Sequence, residues 1–214
     1  MLIERSKDNY WSLNKLDIYM VGHKGAICGG CFKNIFNHEK VKDLDVFFKC
    51  EEDYMQAVKW FGSQTTGYSG GDKQPEKYQF YYQNNNVTAY KDLQNGIVIE
   101  LCKKIYGSPE KILKNFDFTI TKFAYFKKEI EEEGETHIEY RVLFESNFFE
   151  HLHQKRIVID DNIPYPMSTF ERMIRYAKYG YYPCRETKLK IVEALRTMPE
   201  NQVKSTKSLY DGLD

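Results

Sequence analysis

Polar and apolar positions alternate over Asp43-Leu-Asp-Val-Phe-Phe48, a run bounded by Lys42 and Lys49. Side chains at i and i+2 of a strand share a face. The pattern therefore predicts a strand with Leu44 and Val46 on a core and Asp43 and Asp45 together at a rim. Upstream, Gly25-Ala-Ile-Cys28 is a short apolar segment entering Gly29-Gly30, and Cys31 to His38 carries Phe32, Ile35 and Phe36 at helical spacing. Trp11 to Met20 has the mixed pattern of a leading helix. Glu51 to Phe61 reads as a helix with acidic residues in its first turn.

Further along, Gly62 to Glu76 is rich in Gly, Ser, Thr and Asp and predicts a mobile loop. Tyr78 to Gln83, Val87 to Lys91 and Ile97 to Leu101 read as strands, the last two joined by an Asn95-Gly96 hairpin turn. Ser108-Pro109 opens a short helix ending near Asn115. Phe116 to Tyr125 is the next predicted strand, followed by a charged turn at Lys127 to Glu135 and a strand over Ile138 to Phe144. Helices then dominate: Phe148 to His153, Ser168 to Tyr179 with a capping-box spacing at Ser168-Thr-Phe-Glu171, and Arg185 to Arg196. The expected class is α+β, a mixed sheet flanked by helices with a small C-terminal helical segment. The expected units are residues 1–145 and 146–198, with 199–214 a polar, frayed tail.

Composition narrows the classes. With 214 residues, 17 Tyr and 14 Phe, the chain has enough apolar material for a large folded core. Lys+Arg and Asp+Glu balance at 31 each, so no global field marks a duplex-DNA binder. No run approaches the roughly 18 apolar residues that span a bilayer, and Met1 to Asn14 lacks the apolar region of a signal peptide. Cys28, Cys31, Cys50, Cys102 and Cys184 are odd in number, which fits reduced thiols. A cytoplasmic protein, no membrane association and no structural zinc are therefore expected.

The candidate chemistry centres on Asp43 and Asp45. Two carboxylates about 4 Å apart repel by about 4 kcal/mol at an effective dielectric near 20. A divalent cation, Mg²⁺ or Mn²⁺, removes that cost and can share its remaining positions with substrate phosphates. Gly29 and Gly30 allow backbone to approach a phosphate, and Lys33 could reach a triphosphate as a mobile point charge. A third carboxylate, Asp117 or Glu100, would complete the site or accept a proton from the attacking hydroxyl. Cys28-Gly-Gly-Cys31 has the spacing of a dithiol redox pair, although nothing in such a protein explains the aspartates. His23 and Lys24 could touch phosphate, and His151 and His153 read as a helix-surface pair. Tyr176, Tyr179, Tyr181 and Tyr182 would pack on the sheet or stack a base, and Lys178, Arg185, Lys188 and Lys190 form a modest basic face that a strand of RNA could use.

Taken together, Gly29-Gly30, the Asp43-Leu-Asp45 motif 13 residues later, Glu100 in its strand and Asp117-Phe-Thr-Ile-Thr121 resemble the head domain of the DNA polymerase beta-like nucleotidyltransferase superfamily. In motif they look most like bacterial-type CCA-adding enzymes and poly(A) polymerases. Lys33-Asn34 stands where those enzymes carry Arg-Asp, and Phe116 where they carry Arg. The Arg172 to Tyr181 stretch looks more like compact, stand-alone members, including viral ones. The resemblance implies transfer of a nucleoside monophosphate from a nucleoside triphosphate to a hydroxyl of RNA, a protein or a small molecule, with Asp43 and Asp45 as metal ligands. The alternative it implies is a module that keeps the shape without turnover and acts on a partner protein.

Overall fold

The strand predicted at Asp43–Phe48 forms, and the main sheet is built on both sides of it. The structure is a computed structural model describing residues 1–65, 68–69, 72–73, 77–132, 134–159 and 163–199. Its strands are β1 (Leu2–Ser6), β2 (Ala26–Cys28), β3 (Asp43–Phe48), β4 (Tyr68–Ser69), β5 (Asp72–Lys73), β6 (Tyr78–Gln83), β7 (Val87–Asp92), β8 (Val98–Tyr106), β9 (Phe123–Glu132), β10 (Glu135–Glu145), β11 (Arg156–Ile157) and β12 (Tyr182–Pro183). Its α-helices are α1 (Cys31–Phe36), α2 (Glu51–Ser63), α3 (Pro109–Leu113), α4 (Phe148–His153), α5 (Pro166–Lys178) and α6 (Arg185–Arg196). The fold is α+β, as expected.

Eight strands form one mixed sheet in the order β1-β10-β9-β2-β3-β8-β7-β6. β3 and β8 run parallel, while the neighbouring pairs on either side are antiparallel. Alternation along β3 divides its side chains between two cores. Leu44, Val46 and Phe48 join the larger one, with Phe32 and Ile35 of α1 and Ala57 and Phe61 of α2. Phe47 joins the smaller one, with Cys28, Cys102, Phe116 and Ile112 and Leu113 of α3. Phe148, Ile157, Tyr176, Tyr181 and Ile191, from α4 onward, belong to the larger core.

Several expectations are corrected. Trp11 to Met20 is not an α-helix but a 3-10 stretch, Trp11–Tyr19, preceded by a 3-10 turn at Lys7–Asn9. Its Leu13, Leu16 and Tyr19 are buried at three-residue spacing, the repeat of a 3-10 helix. The strand expected over Phe116 to Tyr125 is interrupted by a 3-10 turn at Thr119–Thr121, and β9 starts at Phe123. The charged segment after it is not a turn. Lys127 to Glu132 pairs with Glu135 to Tyr140, with Lys128 opposite Glu139, so the hairpin continues as a ribbon whose charges face solvent. β1 carries no strong periodic signal of its own and is held by β10 and by an ion pair from the Met1 amine to Glu145. α5 starts at Pro166, and Ser168 accepts from Arg172 Nη1 rather than capping the helix. Of the loop expected over Gly62 to Glu76, Gly62 and Ser63 end α2 and β4 pairs with β5, while 66–67, 70–71 and 74–76 lie outside the described residues, as does the tail at 200–214.

Candidate active site

Asp43 and Asp45 lie on one face of β3, Asp43 exposed and Asp45 half-buried, while Leu44 and Val46 between and beside them are fully buried. Asp45 is in register with Cys28 on one side and Glu100 of β8 on the other. Asp43, Asp45 and Glu100 open into one pocket of about 450 Å³, which Gly30, Lys33, Asn34, Lys40, Lys42, Arg175 and Tyr179 help to line. The small α3 core covers this face farther along β3, beyond Phe47, which leaves the carboxylates at its open end.

Gly29 shapes the turn beside them. Its φ is +102°, and a Cβ there would meet the Phe116 ring at 3.0 Å and lie 3.6 Å from Asp45 Oδ2. Glycine is therefore required by both backbone and space. Phe116 is the floor of that turn, packed edge-on against Phe47.

Glu100 is half-buried, and its Oε1 accepts a 2.6 Å hydrogen bond from the Tyr82 hydroxyl. The pairing of β6 with β7 passes from Phe80 opposite Tyr90 to Tyr82 opposite Ala89, so Tyr81 is an extra, bulged residue. Ala89 is in register with Glu100. The bulge thus turns Tyr82 onto the carboxylate face, and the small Ala89 side chain lets it reach across. Burial, with Asp43 adding to it against the Tyr82 hydrogen bond, raises the Glu100 carboxyl above the usual range. Tyr82 was not foreseen, because neither the bulge nor a cross-strand neighbour two strands away leaves a local signal.

Asp117 does not join this group. It is buried, and Oδ1 accepts from the Phe118 N–H at 3.0 Å. Its Oδ2 accepts from Thr169 Oγ1 at 2.7 Å, from Arg172 Nε at 3.1 Å and from Arg172 Nη2. This buried ion pair fastens α5, which carries Arg175 and Tyr176, and Tyr179 just past its end, to the pocket. Lys33 lines the pocket but is not a mobile charge: it is buried, with Nζ 5.3 Å above the Tyr179 ring and 5.6 Å above Tyr181. It also donates to Asn34 Oδ1 and pairs with Glu39 at 3.5 Å.

The competing signals fall elsewhere. Cys28 is fully buried, and burial together with Asp45 pushes its thiol well up, the reverse of an activated dithiol. His23 is buried, accepts from the Gly25 N–H at Nδ1 and donates from Nε2 to the Tyr19 carbonyl. His151 is not on the surface; it meets Thr119 Oγ1 at 2.8 Å. Tyr176 and Tyr181 are buried, whereas Tyr179 and Tyr182 are exposed.

Oxygen donors without nitrogen or sulfur suit a hard cation. Among the described residues no three His, Cys, Asp or Glu side chains converge on one metal position. The arrangement fits a Mg²⁺-like ion held by two carboxylates and completed by phosphate oxygens, the usual way such an ion is bound.

The mixed sheet with its flanking helices is a nucleotidyltransferase-like fold. Solved CCA-adding enzymes share the fold: one in complex with CTP (15% identity, TM-score 0.61, 98% of this chain and 49% of that one), one with ATP (15%, 0.59, 98% and 49%), and the Thermotoga maritima enzyme complexed with tRNA (13%, 0.58, 100% and 52%). The chain spans about half the length of these structures. Within that fold, the chain belongs to the family described as Gad2, Gabija anti-defense 2 family protein, whose family model matches residues 2–155. No curated protein matches it by sequence. No described helix is long and apolar enough to cross a membrane.

Proposed function

We propose that the chain is a divalent-cation-dependent nucleotidyltransferase that moves a nucleoside monophosphate from a nucleoside triphosphate to a hydroxyl acceptor and releases pyrophosphate. The observation that carries this reading is the convergence of Asp43, Asp45 and Glu100 on one pocket beside the Gly29 turn. Asp43 and Asp45 would hold the cation. Once bound, Mg²⁺ or Mn²⁺ supplies charge neutralisation at the triphosphate. Gly29 and Gly30 leave backbone room for phosphates, and Lys33, with Lys40, Lys42 and Arg175, surrounds the pocket with positive charge. The acceptor oxygen forms its bond to the α-phosphorus as the bond to the pyrophosphate oxygen breaks. Glu100, its carboxyl raised by burial, takes the hydroxyl proton, and Tyr82 fixes its orientation. Asp117 is assigned to holding α5, because its oxygens are already occupied inside the protein.

Acceptors of this chemistry are RNA, a protein or a small molecule. The test is incubation with Mg²⁺, each α-labelled nucleoside triphosphate and a mixed RNA and protein extract, beside the Asp43→Asn/Asp45→Asn protein. We expect label on an acceptor with wild type and at least a hundredfold less with the double variant, whose cooperative thermal melting shows that it still folds. A large unfolding effect from Asp45→Asn alone would make that residue structural.

A second reading is a module that binds a partner protein without turnover. It is favoured by Lys33, already engaged by Tyr179, Tyr181 and Glu39, and by the anti-defense description of the family. Saturable triphosphate binding without pyrophosphate release would select it.

A further inference from the structure

A row of residues crosses the sheet at the carboxylate pocket. Asp45 of β3 is opposite Glu100 of β8, Glu100 is opposite Ala89 of β7, and Ala89 is opposite Tyr82 of β6. Directly opposed residues share a face, so all four belong to the side of the sheet on which the pocket opens. β6 is the last strand of that sheet. The bulge at Tyr81 puts Tyr82 into the row, and the phenol passes over the small Ala89 to end at Glu100, 2.6 Å from Oε1. The hydroxyl thus meets a carboxylate on the strand next to β3, and neighbouring strands lie about 4.8 Å apart. Asp45 is close enough to act on the phenol electrostatically.

Tyr82 and Glu100 have the form of a nucleophile beside its base. A hydroxyl within hydrogen-bond reach of a carboxylate that can take its proton marks such a pair. In the transfer proposed above, Glu100 receives the proton of an acceptor hydroxyl, and the hydroxyl already bonded to it belongs to this chain. Tyr19 and Tyr125 also donate to carboxylates, those of Asp92 and Asp17, but both rings are buried and neither aspartate lines the pocket. Tyr82 is half-buried and stands at the open edge of the sheet, where a nucleotidyl group has room. Its phenol keeps its proton until a new bond forms, because burial, Glu100 and Asp45 all disfavour the phenolate.

We propose that Tyr82 is itself an acceptor, so that the chain transfers a nucleoside monophosphate to its own phenol. Tyr82 Oη forms a bond to the α-phosphorus of a bound nucleoside triphosphate as the bond from that phosphorus to the pyrophosphate oxygen breaks. Pyrophosphate leaves, and the phenol proton passes to Glu100. The product is a tyrosyl phosphodiester on β6, formed once per chain. This inference rests on nucleotidyl transfer at the pocket and adds to it the identity of one acceptor.

The test incubates the purified chain with Mg²⁺ and each nucleoside triphosphate, with no acceptor added. Intact mass is read before and after, and tandem mass spectrometry locates the modified residue. We expect a gain of one nucleoside monophosphate on Tyr82, at least tenfold less of it in Asp43→Asn/Asp45→Asn, and none with an α,β-methylene triphosphate, whose bridging oxygen is replaced by carbon. An adduct already carried by the purified chain at Tyr82 is the same product. Isotope-labelled Asp43→Asn/Asp45→Asn mixed with wild type should stay unmodified, because the phenol and the pocket belong to one chain. Pyrophosphate release, or label on a component of an added RNA and protein extract, without an adduct at Tyr82 would overturn the proposal and leave nucleotidyl transfer standing. An adduct on Tyr179 instead, or on the isotope-labelled variant, would overturn it as well. Triphosphate binding with neither pyrophosphate nor adduct would overturn both.

Discussion

Asp117 and Asp45 are both aspartates of the motifs the sequence singles out, yet burial gives them different surroundings. Asp117 is 1% exposed and shares a buried ion pair with Arg172, so removing its charge strands a guanidinium inside the protein. Asp117→Asn is expected to destabilise by about 3–5 kcal/mol in urea unfolding, while Asp43→Asn, at an exposed position, costs little. Choosing between Asp117 and Glu100 from sequence was not possible, because the decisive fact is Arg172, 55 residues away. His23 is a second case. Burial outweighs its hydrogen bond to the Tyr19 carbonyl and lowers its pKa from 6.5 to about 4. The unfolded chain binds a proton there near pH 6.5 and the folded chain does not, so this contribution is intact above pH 6.5 and is lost as pH falls toward 4. The loss approaches about 3 kcal/mol. Denaturation at stepped pH should show a steeper decline for wild type than for His23→Asn, which is less stable throughout but flatter over that window.

At the level of elements, local period was readable where one face is buried and one is not. β3 and α2 follow their predicted bounds closely for that reason. The β9–β10 ribbon was misread because its outer half is charged on both faces and is held by pairing rather than burial. The same strand's inner half is apolar, and Phe123 lies within ring contact of Phe32 at 4.4 Å, Phe148 at 5.0 Å, Phe36 at 5.2 Å and Phe144 at 5.4 Å. Phe123→Ala should cost about 3–5 kcal/mol. It should also loosen α1, α4 and β10 together, visible as loss of hydrogen-exchange protection in all three. A loss confined to β9 would show that this cluster does not join the layers.

Across the whole molecule, two cores on opposite faces of the sheet leave one open end where the carboxylates gather, and the helices after α4 close over the larger core. The distribution of thiols follows from the same layering. Cys28, Cys31 and Cys102 are buried, and burial raises Cys28 and Cys102 strongly. Cys184 is half-buried; hydrogen bonds from Thr187 and Arg156 outweigh its burial and lower its thiol. Maleimide labelling at pH 7 should therefore modify Cys184 well before Cys28 or Cys31, and mass spectrometry of the labelled chain reads the order; early labelling of Cys28 would revive a dithiol reading. Sequence alone determined the alternation that puts Asp43 and Asp45 on one face, the glycine turn beside them and the α+β class, because each depends on neighbours within a few residues. Tertiary structure decided that Glu100 and not Asp117 faces the pocket, that Tyr82 holds Glu100 and that Lys33 is caged. Those outcomes depend on register, a bulge and burial by distant segments, and none of these leaves a periodic trace in the chain.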